Sequence, residues 1–168
     1  VRERTAELAG AEVTANEARG RLTDAIESIS EGFALFDSDD RLVVANRRYR
    51  EIMLGDHEVD LQPGTKFRDI LHRAAETDRF PNAKKDQAGW IERQLDRHSV
   101  TRAPYVQEMA GNRWQQISNR KTDKGGTVAV HSDITEIKRI SDELKRAKDT
   151  AEAANEAKSA FLATMSHE

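Results

Sequence analysis

The hydrophobic positions of this chain follow one period at its two ends and another in its middle. From Leu8 through Ala11, Ala15, Ala18, Leu22, Ala25 and Ile29 the apolar residues alternate spacings of three and four. That is an a/d heptad seam, and charges such as Glu17 and Arg21 flank it at i,i+4. A second seam runs Ile137, Ile140, Leu144, Ala147, Ala151, Ala154, Lys158, Phe161 and Met165, with Lys158 its single polar member. Sustained 3.5-residue periodicity in an Ala-rich, charged background predicts a long helix at each end, each pairing with a second copy in a parallel coiled coil. An amphipathic helix packed on the domain itself is the simpler alternative. Both seams are thin, because an Ala methyl buries on the order of 0.8 kcal/mol against roughly 1.5–3 for Leu or Ile. Gly10 and Gly20 weaken the first helix further, by about 1 kcal/mol each relative to Ala.

Between the seams the pattern is mixed. Phe33–Phe36 is a short apolar run closed by Asp37-Ser38-Asp39-Asp40, and Leu42–Ala45 follows, which predicts a hairpin. Asn46 can cap a short helix carrying Tyr49, Ile52 and Met53. Thr65, after the Pro63-Gly64 turn, can cap a helix with Phe67, Ile70, Leu71 and Ala74 on one face. A further helix over Lys84–His98 is expected to bury Ala88, Ile91 and Leu95. Three strands close the region: Tyr105–Met109, Arg113–Arg120 and Thr127–Ser132, with hairpin signals at Gly111-Asn112 and Asp123-Lys124-Gly125-Gly126. Two strands, then helices, then three strands predict an α+β domain around a five-stranded antiparallel sheet, with the helices on one face.

Composition explains why the chain divides this way. Of its 168 residues, 34% are charged, 37% hydrophobic and 5% aromatic, against roughly 25% charged in an average soluble domain. That is too little apolar matter to bury the whole chain in one sphere. The reading is therefore a helix over 1–31, a domain over 32–134 and a second helix over 135–168. With 27 basic and 30 acidic residues the net charge is −3, which gives no electrostatic footprint for nucleic acid. Zero cysteines exclude disulfides, thiolate metal sites and cofactors bonded through sulfur. No apolar run approaches the ~18 residues of a membrane span and no signal peptide opens the chain. The expected setting is cytoplasmic, without direct membrane contact in this segment, though a parent protein could be anchored upstream. A first residue Val1 inside a charged helical run reads as the start of an excised piece.

Two motifs carry the functional reading. The order of elements, the helix opened by Asn46, the Gly-Gly hairpin and the closing Asp133-Ile134-Thr135 resemble a PAS domain. Glu108–Trp114 with Asp123–Thr127 is similar to the PAS type of bacterial sensor kinases. Asp133 with Glu136 three residues on also has the spacing of a capping box, tying the last strand to the second long helix. The resemblance implies that Asp133, Ile134 and Thr135 form the signal-coupling joint.

The last eight residues, Phe161-Leu162-Ala163-Thr164-Met165-Ser166-His167-Glu168, resemble the H-box of the phosphoacceptor domain of sensor histidine kinases. A lone His on a charged helix is usually just solvated, but Phe161 and Met165 hold the seam here and place His167 at a flanking, outward position. An imidazole, with an ordinary pKa near 6.5, is mostly the neutral nucleophile at pH 7. The resemblance implies that His167 is the catalytic phosphoacceptor and that a response-regulator Asp later accepts the phosphate. Glu168 can orient the ring or take its proton. The chain carries no Gly-rich nucleotide lid and no Asn/Asp-rich domain to hold Mg-ATP. ATP and Mg are expected only in a kinase domain beyond it, and this piece is expected to be inactive alone.

No cofactor is fixed by the residues. The missing cysteine removes flavin–cysteinyl and thioether-linked bilin chemistry. Haem requires an inward His: His72 lies about 150° from its helix's apolar face, His98 sits near the edge of one, and His131 has the opposite strand parity to Val128 and Val130. None of the three is thus expected to point squarely inward, which argues against haem. Non-covalent flavin, an unidentified small ligand among Trp90, Trp114 and Tyr105, and an empty packed core stay open. The leading expectation is the sensory and transmitting part of a two-component kinase, a parallel homodimer relaying a signal to His167. The alternatives are a dimerisation scaffold with no ligand or switching role, and an input module for another effector such as a nucleotide cyclase.

Overall fold

The computed structural model describes residues 2–55 and 60–167. Its elements run α1 (Arg2–Glu27), β1 (Gly32–Phe36), β2 (Leu42–Ala45), α2 (Arg47–Leu54), α3 (Phe67–Glu76), α4 (Pro81–Lys85), α5 (Gln87–Ser99), β3 (Tyr105–Met109), β4 (Arg113–Lys121), β5 (Thr127–Asp133) and α6 (Thr135–Ser166). The five strands form one antiparallel sheet in the order β2-β1-β5-β4-β3. The closing strand β5 therefore lies in the centre, between β1 and β4, and β3 is left at an edge. This is the α+β architecture expected from the order of elements.

Local chemistry sets the corners. Asp37 Oδ1 accepts from the N–H groups of Asp39 and Arg41, both at 2.9 Å, and so folds the β1–β2 turn. Gly111 (φ 75°) and Asn112 (φ 54°) take consecutive left-handed conformations between β3 and β4, as a tight hairpin demands. Gly126 serves close approach instead: a Cβ there would lie 2.3 Å from the Phe36 carbonyl oxygen. Asn46 is the N-cap of α2, accepting from Tyr49 N–H at 2.9 Å.

Three expectations need correction. Thr65 does not cap α3: Lys66 holds that position without a side-chain bond, and the Thr65 hydroxyl donates to the Gln62 carbonyl at 2.7 Å. The single helix over 84–98 is broken at Asp86, which caps α5 by accepting from Gly89 N–H at 2.9 Å. This start rotates the buried face of α5 onto Trp90, Ile91, Gln94 and His98, and leaves Ala88 exposed.

The core fills the space between α2–α5 and one face of the sheet, around Phe36, Tyr49, Phe67, Ile70, Phe80 and Trp90. Neither α1 nor α6 contributes a buried residue to it.

Candidate functional site

The sheet face turned toward the helices is polar near its middle. Along β5 it presents Thr127, Ala129 and His131, along β4 Gln115, Ile117 and Asn119, and along β3 Gln107 and Met109, all buried. Val128 and Val130 lie on the opposite face, only partly covered. His131 thus points inward, against expectation. The parity difference from the valines is real, but the valines are not the residues that face the core.

Three of these polar groups join in a chain, while Thr127 accepts from Lys121 Nζ and Asn119 donates to the Arg97 carbonyl. His131 Nδ1 lies 3.2 Å from Gln115 Oε1, and Gln115 Nε2 donates to Gln107 Oε1 at 3.5 Å. Tyr105 donates its hydroxyl proton to Gln94 Oε1 at 2.8 Å. Burial holds both inward imidazoles neutral: it lowers His131 to about 3 and His98 to about 4. His98 is 1% exposed, stacked on Phe67 with ring centroids 3.9 Å apart and set edge-on to Phe36. Asp40 Oδ1 is 3.4 Å from its Nε2, yet neither ring nitrogen has hydrogen-bond geometry to any described residue. His98 is therefore also inward, a second correction. His72 is exposed, as expected. The interior space among Met53, Phe80, Trp90, Gln107 and Ile117 is about 10 Å³, room for roughly one water. A larger guest requires these side chains to part.

The neutral histidines make stability acid-sensitive. Their folded pKa values lie below the unfolded 6.5, so the unfolded chain binds more protons between those limits. Stability is full above about pH 6.5 and is lost as pH falls toward 4. His98→Phe removes one titration while keeping the ring stack. Urea titrations between pH 7 and 4.5 should show a shallower acid decline for the variant, and an unchanged slope would refute this account.

Both long helices are fastened to the domain by a few polar residues; on α1, Glu27 accepts from Arg47 N–H at 2.9 Å and pairs with Arg50 at 3.3 Å. Asn46, fully buried, uses its whole amide: Oδ1 accepts from Phe33 N–H (2.8 Å) and Tyr49 N–H, while Nδ2 donates to the carbonyls of Glu31 (2.8 Å) and Ile26 (3.2 Å). It joins α1, β1 and α2 at one point. At the other end, Thr135 Oγ1 accepts from Trp114 N–H at 2.9 Å, and Ile134 N–H donates to the Trp114 carbonyl at 2.9 Å. Asp133 Oδ1 accepts from Thr135 N–H at 2.9 Å, and Asp133 Oδ2 lies 3.8 Å from Arg48 on α2. These contacts hold the Asp133 carboxyl below its usual range despite an opposing desolvation that is the largest single influence. The capping box does not form: the N-cap of α6 is Ile134, one residue beyond Asp133, and Glu136 pairs forward with Arg139. Trp114 is the partner that motif reading missed. Its ring also carries the Lys138 ammonium 5.0 Å from the centroid.

From this joint α6 runs unbroken to Ser166, and His167 follows exposed at its C-cap. Glu168 lies outside the described residues. Along α6, Ile137, Ile140, Leu144, Phe161 and Met165 are each at least half exposed, as are Leu8 and Leu22 on α1. Among the described residues no group of three metal-ligating side chains occurs, and no helix is long and apolar enough to cross a membrane.

Comparison with known proteins agrees with this geometry. A family model described as the PAS fold matches residues 26–142. The non-motile and phage-resistance protein of Caulobacter vibrioides is 34% identical over 186 residues, covering 94% of this chain. The chain spans only 20% of that relative's length. Among solved structures, the PAS domain of an HTR-like protein from Haloarcula marismortui is 17% identical, with 71% of this chain and 99% of that one covered and a TM-score of 0.42. The PAS domain of Bordetella pertussis BvgS is 15% identical, covering 80% and 98%, with a TM-score of 0.42.

Proposed function

Because this chain belongs to the PAS-fold family, we propose that it is the sensory and transmitting segment of a sensor histidine kinase, relaying the state of its core through α6 to phosphorylation at His167. One observation carries the reading: a single helix leads from a hydrogen-bonded joint on the sheet to an exposed His within an H-box-like string. In the transfer, a neutral imidazole nitrogen attacks the γ-phosphorus of ATP in line. The N–P bond forms, the bond to the ADP oxygen breaks, and the ring N–H proton passes to Glu168 or to water. ATP and its metal belong to a catalytic domain outside this chain, and a response-regulator carboxylate is the later acceptor.

The exposed apolar stripe on α6 supports pairing with a second copy in parallel, which would cover Ile140, Leu144 and Phe161. A change in how the sheet holds Thr135 would then alter the packing of two helices together. A second reading, a scaffold that dimerises without switching, is favoured by the small interior, with its room for about one water.

Thr135→Val separates the two. It keeps the shape of the side chain and removes the acceptor for Trp114 N–H. In the full-length protein, transmission predicts an autophosphorylation rate changed by at least about fivefold, the lower end of typical coupling energies, with dimer mass unchanged. An unaltered rate would leave the scaffold reading standing and reject transmission through this joint.

A further inference from the structure

The edge strand β3 borders a cleft of about 490 Å³ against α4 and α5, lined by Lys85, Trp90, Arg93, Arg97, Val106 and Glu108 among others. Its volume falls within the range of small-molecule sites. Its chemistry is specific in three respects, each independent of the others.

First, the strand offers unpaired main-chain groups. Residues of an antiparallel pair alternate between bonding across the ladder and facing away from it. Trp114 spends its N–H on Thr135 and its C=O on Ile134, so it does not bond to Glu108 opposite. Glu108 and, two residues away, Val106 therefore turn their N–H and C=O groups outward, along the edge. Second, Trp90 is 97% buried by its 3% exposure, borders both the cleft and the interior space, and its Nε1–H has no partner among the described residues. A buried donor without an acceptor is costly, and an acceptor brought to it by a guest relieves that cost. Third, the lining is cationic: Lys85, Arg93 and Arg97 face Asp86 and Glu108. Asp86 is already engaged by Gly89 N–H and by Arg93 at 3.4 Å, and neither Lys85 nor Arg97 forms an ion pair among the described residues.

Strand-edge amide groups recognise another amide, a cation recognises a carboxylate, and Trp90 adds one more donor. We propose that this cleft binds a small carboxylate carrying a secondary amide, the class of N-acyl amino acids and dipeptides. The guest's amide pairs with the open edge at Val106 and Glu108, and its carboxylate is held by Arg97 with Lys85 or Arg93. A long peptide strand fits less well, because the Arg79 carbonyl already takes the next outward group, Ala110 N–H, at 2.8 Å. The cleft lies beside the core, with Trp90 at the border of both. It also borders the Trp114 ring, whose main chain holds α6. The proposal concerns binding alone, and its test does not depend on phosphotransfer.

The test uses ¹⁵N-labelled chain and N-acetyl-L-phenylalanine as the probe. The chain has two Trp residues, so two indole N–H signals are followed and assigned with Trp114→Phe. The Trp90 indole and the Val106 and Glu108 amides are expected to shift saturably together. N-acetyl-L-phenylalaninamide, without the carboxylate, should bind at least tenfold more weakly, as should the probe to Arg97→Gln. Lys85→Gln, at an exposed site, gives a second check and should weaken binding severalfold with the unfolding midpoint unchanged. Equal binding of 3-phenylpropanoate, which lacks the amide, would mean that only the negative charge is recognised and would overturn the proposal. Absence of saturable shifts at these three groups would overturn it as well.

Discussion

His167→Gln in the full-length protein is expected to abolish transfer of labelled γ-phosphate from ATP to this segment. The reason is chemical. A carboxamide nitrogen delocalises its lone pair into the carbonyl and cannot attack phosphorus, whereas a neutral imidazole presents a localised lone pair in the ring plane. The substitution should cost almost nothing structurally. His167 sits exposed at the C-cap of α6, joined to the helix through its main-chain N–H to the Thr164 carbonyl at 3.4 Å, a bond that Gln keeps. Surface changes of this kind fall within about 0.5 kcal/mol, so the unfolding midpoint should be unchanged. The wild-type phosphate should be acid-labile and base-stable, as an N–P bond is. Labelling that persists in the variant, or a linkage stable to acid, would reject His167 as the acceptor.

The two ends of the chain differ in how far periodicity could take them. A heptad seam states that one stripe of a helix is apolar, and both long helices are present with that stripe exposed. What covers the stripe is a property of a second molecule, which no single-chain pattern contains. In the domain, β2 and β3 have the boundaries read from their apolar runs and turns, because Asp40 and Asn46 flank the one and Pro104 and Gly111 the other. The orientation of β5 was not legible for a related reason. Alternation gives the two faces of a strand but does not say which one meets the helices. Here Thr127, Ala129 and His131 go in and the more apolar Val128 and Val130 go out, because the interior beneath β4 and β5 is built from carboxamides and an imidazole. His98 was misplaced through phase: moving the start of α5 to Gln87, after the Asp86 cap, turns the whole helix. The cleft along β3 had no local signal at all. It exists because β5 inserts between β1 and β4, which leaves β3 at the edge.

Asn46 is a residue whose loss should damage the fold severely, and it shows why a cap motif can understate a side chain. Sequence identifies one bond, the cap of α2. The structure shows four, to Phe33, Tyr49, Glu31 and Ile26, from a side chain with no exposed surface. Asn46→Ala removes the cap, worth about 1 kcal/mol, and leaves partly buried main-chain groups without partners, at roughly 1–3 kcal/mol for each one that water cannot reach. A total loss of about 3 kcal/mol is expected in urea unfolding. Asn46→Asp then divides the two halves of the residue. A carboxylate still accepts from Phe33 and Tyr49, so α2 and β1 stay capped, but it places negative charge against the Ile26 and Glu31 carbonyls where Asn donates. The Asn46 tie to α1 should fail while the domain holds, leaving α1 only the Glu27 contacts to Arg47 N–H and Arg50. Amide hydrogen exchange is expected to quicken by tenfold or more in the last turn of α1, through Ile26 and Glu27, with the central strands β1 and β5 protected as before. Were exchange to rise equally throughout the sheet, Asn46 would be a general core residue and not a specific tie between the first helix and the domain.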